Sequence, residues 1–125
     1  MDKHQHHEEL VQGLCEQLKP IFDQSQQAVY LYLDDIHKAC NKNFARLLGY
    51  ATPSELAALD DVLAACVTNS SQEILVNAYQ QAMKNLAGSI STIVWTKKDG
   101  NAVKTTVMLV PIAYQNHLFA LHFVF

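Results

Sequence analysis

The chain has 125 residues, half of them hydrophobic and 17% charged, with a formal charge of -3. That length suits one domain with its own core and leaves no room for a kinase, a cyclase or another output module. The acidic balance offers no basic face to a phosphate backbone, and no apolar run reaches the roughly 20 residues of a membrane span, so neither nucleic acid nor membrane is an expected partner.

The N-terminus reads His4-Gln5-His6-His7-Glu8-Glu9, the opposite of a signal peptide, which makes the cytoplasm the expected compartment. Leu10, Val11, Leu14, Leu18, Ile21 and Phe22 then recur at helical spacing, which predicts an amphipathic helix restarted near Pro20. The run Ala28 to Leu33 is aromatic and branched, ends at Asp34-Asp35, and precedes a second short strand over Ile36 to Cys40; together they predict a hairpin. A short helix follows, with Phe44, Leu47 and Leu48 inward and Gly49 at its end. The chain restarts at a Thr52 cap with Pro53 in the first turn and Glu55 completing a capping box.

Asp61 to Val67 is apolar, and Ser70 with Glu73 predicts a second capping box. It would open the longest core helix, with Leu75, Tyr79, Ala82, Met83 and Leu86 on one face and Gly88 as the stop. Three strands close the chain: Ser89 to Lys97, Ala102 to Ile112 and Leu118 to Phe125, the first two joined through Asp99-Gly100. This order predicts an α+β domain with a five-stranded antiparallel sheet and helices on one face. In the last strand Phe119, Leu121 and Phe123 alternate with Ala120, His122 and Val124, so both sheet faces need a cover. The N-terminal helix is the expected cover of the second face, and a partner subunit the next candidate. The division expected is residues 1–26 as a helical segment and residues 27–125 as the domain proper.

From Ala28 to Phe125 the chain resembles PAS sensor domains. The resemblance rests on Asn41 three residues before Phe44, on Gly49-Tyr50, on Glu55-Leu56, on the Lys98-Asp99-Gly100 turn and on Pro111. It implies a sensory and dimerisation module of a signal-transduction protein, non-catalytic, with an output domain in cis or in trans. It also implies a small cavity between sheet and helices, and an N-terminal helix that joins a homodimer interface along with the outer sheet face. The chain stops within its last strand, without the polar exit usual in the family, which reads as the sensor end of a longer protein or as a stand-alone chain with a partner in trans.

The same resemblance disfavours the usual cofactors, and the ligand is left unknown. The two Asn that hold flavin in relatives fall on Trp95 and Thr105, their ring-contacting Gln falls on His122, and no Asn-Cys-Arg-Phe-like motif is present. Haem relatives place a ligand in the middle helices, where residues 51–88 contain no His. Cys66 matches the attachment cysteine of covalent-chromophore relatives, but their Tyr and Glu fall on Cys40 and Phe44.

His122 is the central candidate: a titratable group on the strand face turned to the helices. Trp95, Thr105, Leu31, Leu33 and Phe44 are the other candidate ligand-binding, pocket-lining residues. Two other readings stay open. One is a small α+β enzyme with His122 as base, which would need an acid nearby, and no Asp or Glu falls at an expected pocket position. The other is a ligand-free dimerisation module. Cys15, Cys40 and Cys66 form no pair with metal or disulfide spacing and read as small apolar residues. His4, His6 and His7 with Glu8 offer imidazoles on one helical turn, but a frayed terminus is the expectation and no metal site is predicted. Asp34-Asp35 and Asp60-Asp61 read as turn and cap formers, and Lys97-Lys98 as a solvated hairpin tip.

Overall fold

A computed structural model describes residues 3–125, with side chains from Gln5 onward; the side chain of His4 lies outside the described residues. Helices α1 (Lys3–Gln17) and α2 (Lys19–Gln24) open the chain, broken where Pro20 lacks an N–H. Strands β1 (Ala28–Tyr32) and β2 (Lys38–Cys40) form the first hairpin, and α3 (Lys42–Leu47), α4 (Pro53–Ala57), α5 (Val62–Cys66) and α6 (Asn69–Asn85) follow. The chain ends in β3 (Ser89–Thr96), β4 (Ala102–Tyr114) and β5 (His117–Val124). All five strands join one antiparallel sheet in the order β2-β1-β5-β4-β3, as expected.

The corner at Asn41 is fixed by polar chemistry that an aliphatic side chain could not supply. Asn41 Oδ1 accepts from the N–H groups of Val29 and Phe44, both at 3.0 Å, while Nδ2 donates to the Gln27 carbonyl at 3.0 Å. One buried amide thereby caps α3 and locks it to β1. Gly49 takes φ +84, and Tyr50 N–H reaches back to the Ala45 carbonyl at 2.8 Å, closing the helix in a left-handed cap that only glycine adopts without strain. The next helix starts as its sequence predicts: Thr52 Oγ1 accepts from Glu55 N–H at 3.1 Å. The Glu55 carboxylate accepts from Ala51 N–H, one residue before the cap, and also pairs with Lys98. The β3–β4 tip is therefore docked, since Lys98 N–H also donates to the Leu48 carbonyl at 2.7 Å, and the expectation of a merely solvated tip is corrected.

Three other expectations are corrected. Helix α6 begins at Asn69, not at a Ser70–Glu73 box, because Thr68 and Ser71 are both engaged by β3. Thr68 Oγ1 donates to the Val94 carbonyl at 3.0 Å, and Ser71 Oγ accepts from Val94 N–H at 2.9 Å. The same helix ends three residues before Gly88: Leu86 takes φ 53 and is 64% exposed, so it leaves the apolar face. Strand β2 starts at Lys38 instead of Ile36, because Asp34 Oδ1 accepts from the N–H groups of Ile36 and His37 and turns the chain there.

Each sheet face has its own core. Val29, Leu31, Phe119 and Leu121 pack on Leu10, Val11 and Leu14 of α1, which is the cover expected for the outer face. On the inner face Ala28, Tyr30, Val107, Val124, Ile93 and Trp95 meet Phe44, Leu48, Leu56, Val62 and Cys66 of the middle helices.

Candidate functional site

A cavity of about 90 Å³ lies between the inner sheet face and the helices α5 and α6. Strand pairing aims its sheet walls: Tyr30 of β1 stands opposite His122 of β5, and Tyr32 opposite Ala120. Directly paired residues share a face, so Tyr30, Tyr32 and His122 all turn to the helices. Trp95 adds a third sheet wall, while Val62, Leu63, Val67, Leu75, Val76 and Tyr79 close the space from the other side. Asp35, itself exposed, borders the cavity and accepts from the Tyr32 hydroxyl at 2.7 Å. An acid therefore does stand at the site, against the expectation that none would.

His122 is fully enclosed, with Nδ1 3.0 Å from the Tyr30 carbonyl oxygen. A carbonyl only accepts, so Nδ1 carries the proton and Nε2 is the acceptor of the neutral ring. Burial pushes its pKa down to about 4, against a smaller opposing pull from the Tyr30 and Ala120 carbonyls. At neutral pH this histidine is an uncharged hydrogen-bonding group, not a cation.

The structure brings some expected site residues together and removes others. Trp95 is fully buried, lines the cavity and donates its indole N–H to Thr105 Oγ1 at 2.7 Å; Thr105 in turn donates to the Ile93 carbonyl at 3.1 Å. Thr105 thus stands behind Trp95 and orients it without lining the space. Phe44 also lies behind the wall, stacked on Tyr30 with centroids 5.0 Å apart and meeting Trp95 edge-on at 5.3 Å. Leu31 and Leu33 are on the wrong side: Leu31 pairs with Leu121, and both leucines pack in the α1 core. The correction is one of parity, since a one-residue shift along a strand exchanges its faces.

The residues missed are Tyr30, Tyr32, Tyr79 and Asp35. Their signal was present, since three tyrosines are costly to bury without polar partners and two of them alternate along β1. The thiols behave as expected of apolar residues. Burial pushes Cys40 up to about 12 and Cys15 up to about 11, and it raises Cys66, whose Sγ lies 3.6 Å from the Tyr50 hydroxyl. Two of the N-terminal histidines depart from expectation: α1 is formed from Lys3, and His6 and His7 are half-buried on it, although Gln5, Glu8 and Glu9 beside them are exposed.

Comparison with known proteins gives a fold and no closer kinship. The sequence matches no family model, and no curated protein matches it. Among solved structures it is similar to a PAS domain from a two-component sensor histidine kinase, with TM-score 0.68 and 11% identity over 91% of this chain and 96% of that one. It is similar as well to the PAS domain of a protein from Colwellia psychrerythraea, with TM-score 0.69 and 22% identity over 90% of this chain and 95% of the other. The d2 variant of RsLOV matches the whole chain over 68% of its own length, with TM-score 0.70 and 19% identity. The fold is therefore that of PAS domains, as the Asn41 to Leu56 segment implied.

Proposed function

We propose that the chain is a PAS-type sensory module of a cytoplasmic signal-transduction protein, without catalytic activity of its own, which receives a small molecule in the inner-face cavity. The observation that carries this reading is the space framed by Tyr30, Tyr79, Trp95 and His122, apolar around an uncharged hydrogen-bonding histidine. A volume of about 90 Å³ is well below the roughly 300–1,000 Å³ of sites for drug-sized ligands. The ligand is accordingly small, uncharged and largely apolar, with a donor for His122 Nε2. Occupancy would bias how the middle helices and α1 sit on the sheet, and an output domain in cis or in trans would read that bias.

Size and wall chemistry both speak against flavin and haem, because the space is about 90 Å³ and the Trp95 ring forms one of its walls. A covalent chromophore is disfavoured by Cys66, whose burial raises its pKa and suppresses the thiolate. The enzyme reading is weakened by the same His122 burial, since a base pushed down to about 4 has little drive to take a proton, and Asp35 is already engaged by Tyr32. The test is the native mass and visible absorption spectrum of the purified full chain. A bound small molecule released on denaturation supports the reading; a haem or flavin band overturns it, and the bare chain mass favours a ligand-free dimerisation module.

The proposal includes a homodimer through α1 and the outer sheet face. Helix α1 covers the β1 and β5 part of that face, whereas Ile90 of β3 and Val110 of β4 are 71% and 38% exposed. Sedimentation velocity at micromolar concentration is expected to show a dimer that Val110→Lys weakens. A monomer overturns the homodimer, and a dimer indifferent to that charge places the contact elsewhere.

A further inference from the structure

On the far side of the β1–β2 turn from Asp35's cavity contact, histidines from three separate segments gather where α1 passes the ends of two hairpins. His7 comes from α1, Asp34 and His37 from the β1–β2 turn, and His117 from the start of β5. His7 Nδ1 lies 3.0 Å from Asp34 Oδ2, and His37 Nδ1 lies 2.7 Å from Asp34 Oδ1. One donor atom from each of the three falls within 4.8 Å of the others. Ligand atoms around a tetrahedral ion with bonds near 2.0–2.2 Å stand about 3.4 Å apart, so side-chain adjustment alone closes this set.

The set is ordered before any ion arrives. The His7 and His37 side chains are only 14% and 10% exposed, and Asp34 is fixed by the N–H groups of Ile36 and His37. Partial burial would raise the Asp34 carboxyl, but the bonds from His37 and His7 outweigh it and hold the group below its ordinary value. The His117 ring lies 5.4 Å from that of His7, centroid to centroid, and His117 Nδ1 donates to the Gln115 carbonyl at 3.0 Å. In the neutral ring this leaves Nε2 as the electron-pair donor, the arrangement in which a backbone carbonyl orients a metal-binding imidazole. Two imidazoles and one carboxylate suit a borderline-soft divalent ion, whereas calcium and magnesium favour oxygen sets.

We propose that His7, Asp34 and His37 form a site for a divalent transition-metal ion of the zinc type, with His117 as the neighbouring fourth donor, and that the ion fastens α1 to the sheet. Its ligands span α1 and the β1–β2 turn, so metal occupancy sets how firmly the outer-face helix is held. The site shares no residue with the cavity, and its test is independent of the ligand reading.

The experiment is calorimetric titration of the full chain with Zn²⁺ alone, alongside melting curves with and without the ion. Expected are one ion per chain and a rise in melting temperature that a chelator reverses. His37→Gln and Asp34→Asn should each weaken binding by about tenfold or more, while His6→Gln, outside the set, changes it little. Asp34→Asn keeps an oxygen for the turn, and His7→Gln serves as a third variant if either of the others melts early without metal. Absence of binding, or binding unchanged in all three variants, overturns the proposal.

Discussion

The two faces of one sheet do different work with the same alternation of residues. Under α1 the outer face is aliphatic and aromatic: Val29, Leu31, Phe119 and Leu121 meet Leu10, Val11 and Leu14, and their value is the water they exclude. The inner face carries His122, Thr105 and Trp95, buried polar groups that are each satisfied by a named partner, and it keeps a cavity beside them. A filled, purely apolar layer stabilises without discriminating among ligands, whereas satisfied polar groups around a space can tell one small molecule from another.

The sharpest way to break this division is to hollow out the outer face. Phe119→Ala removes a fully buried ring and should cost about 3–5 kcal/mol in denaturant unfolding, among the largest single effects here. If the division holds, any folded fraction keeps its cavity chemistry. A loss below ~1 kcal/mol would mean that α1 does not seal this face.

His122 gives the next effect, with a defined sign. Its folded pKa of about 4 lies below the ordinary histidine value of 6.5, so between those values the unfolded chain binds the extra proton. Its neutral burial therefore favours the fold fully above about 6.5, and that contribution falls away as pH drops towards 4. The drop amounts to ~3 kcal/mol from this residue, readable as the pH dependence of urea midpoints. His122→Phe should flatten that window, and a variant with the same pH profile as the parent would show that another group titrates.

Thr105→Val probes the smallest of these effects. It removes the acceptor of the Trp95 indole N–H, leaving a buried donor unpaired at a cost of about 1–3 kcal/mol, and it frees the ring to shift within the cavity wall. The expected readout is a loss of stability accompanied by a blue-shifted or broadened Trp95 emission; unchanged emission would mean that Thr105 does not position the ring.

Much of the fold was legible because its signals are local. The Asn41, Gly49, Thr52 and Gly100 positions each require a specific cap or a positive φ, and the chain supplies the residue. The site was less legible because it depends on pairing. In Ala28-Val29-Tyr30-Leu31-Tyr32-Leu33 both parities are apolar or aromatic, so the alternation of Tyr30 and Tyr32 puts them on one face without saying which; the pairing of Tyr30 with His122 turns that face to the helices. Asp34 was read as part of a turn and His37 as part of the second strand, and no pattern along the chain reveals that His7 and His117 arrive beside them. The start of α6 was misplaced for a similar reason, since the Thr68 hydroxyl serves a strand 26 residues away.

The central claim, that the inner-face cavity receives a small ligand, is tested most directly by NMR. The chain has a single tryptophan, so the Trp95 indole N–H gives one resolved signal at the cavity wall. Titration of the full chain with a library of small uncharged fragments should shift this signal together with the amides of Tyr30 and His122, saturably, and His122→Phe should weaken the response. If every fragment leaves those signals in place, or binders move only residues elsewhere, the cavity is not a receptor site and the claim is wrong.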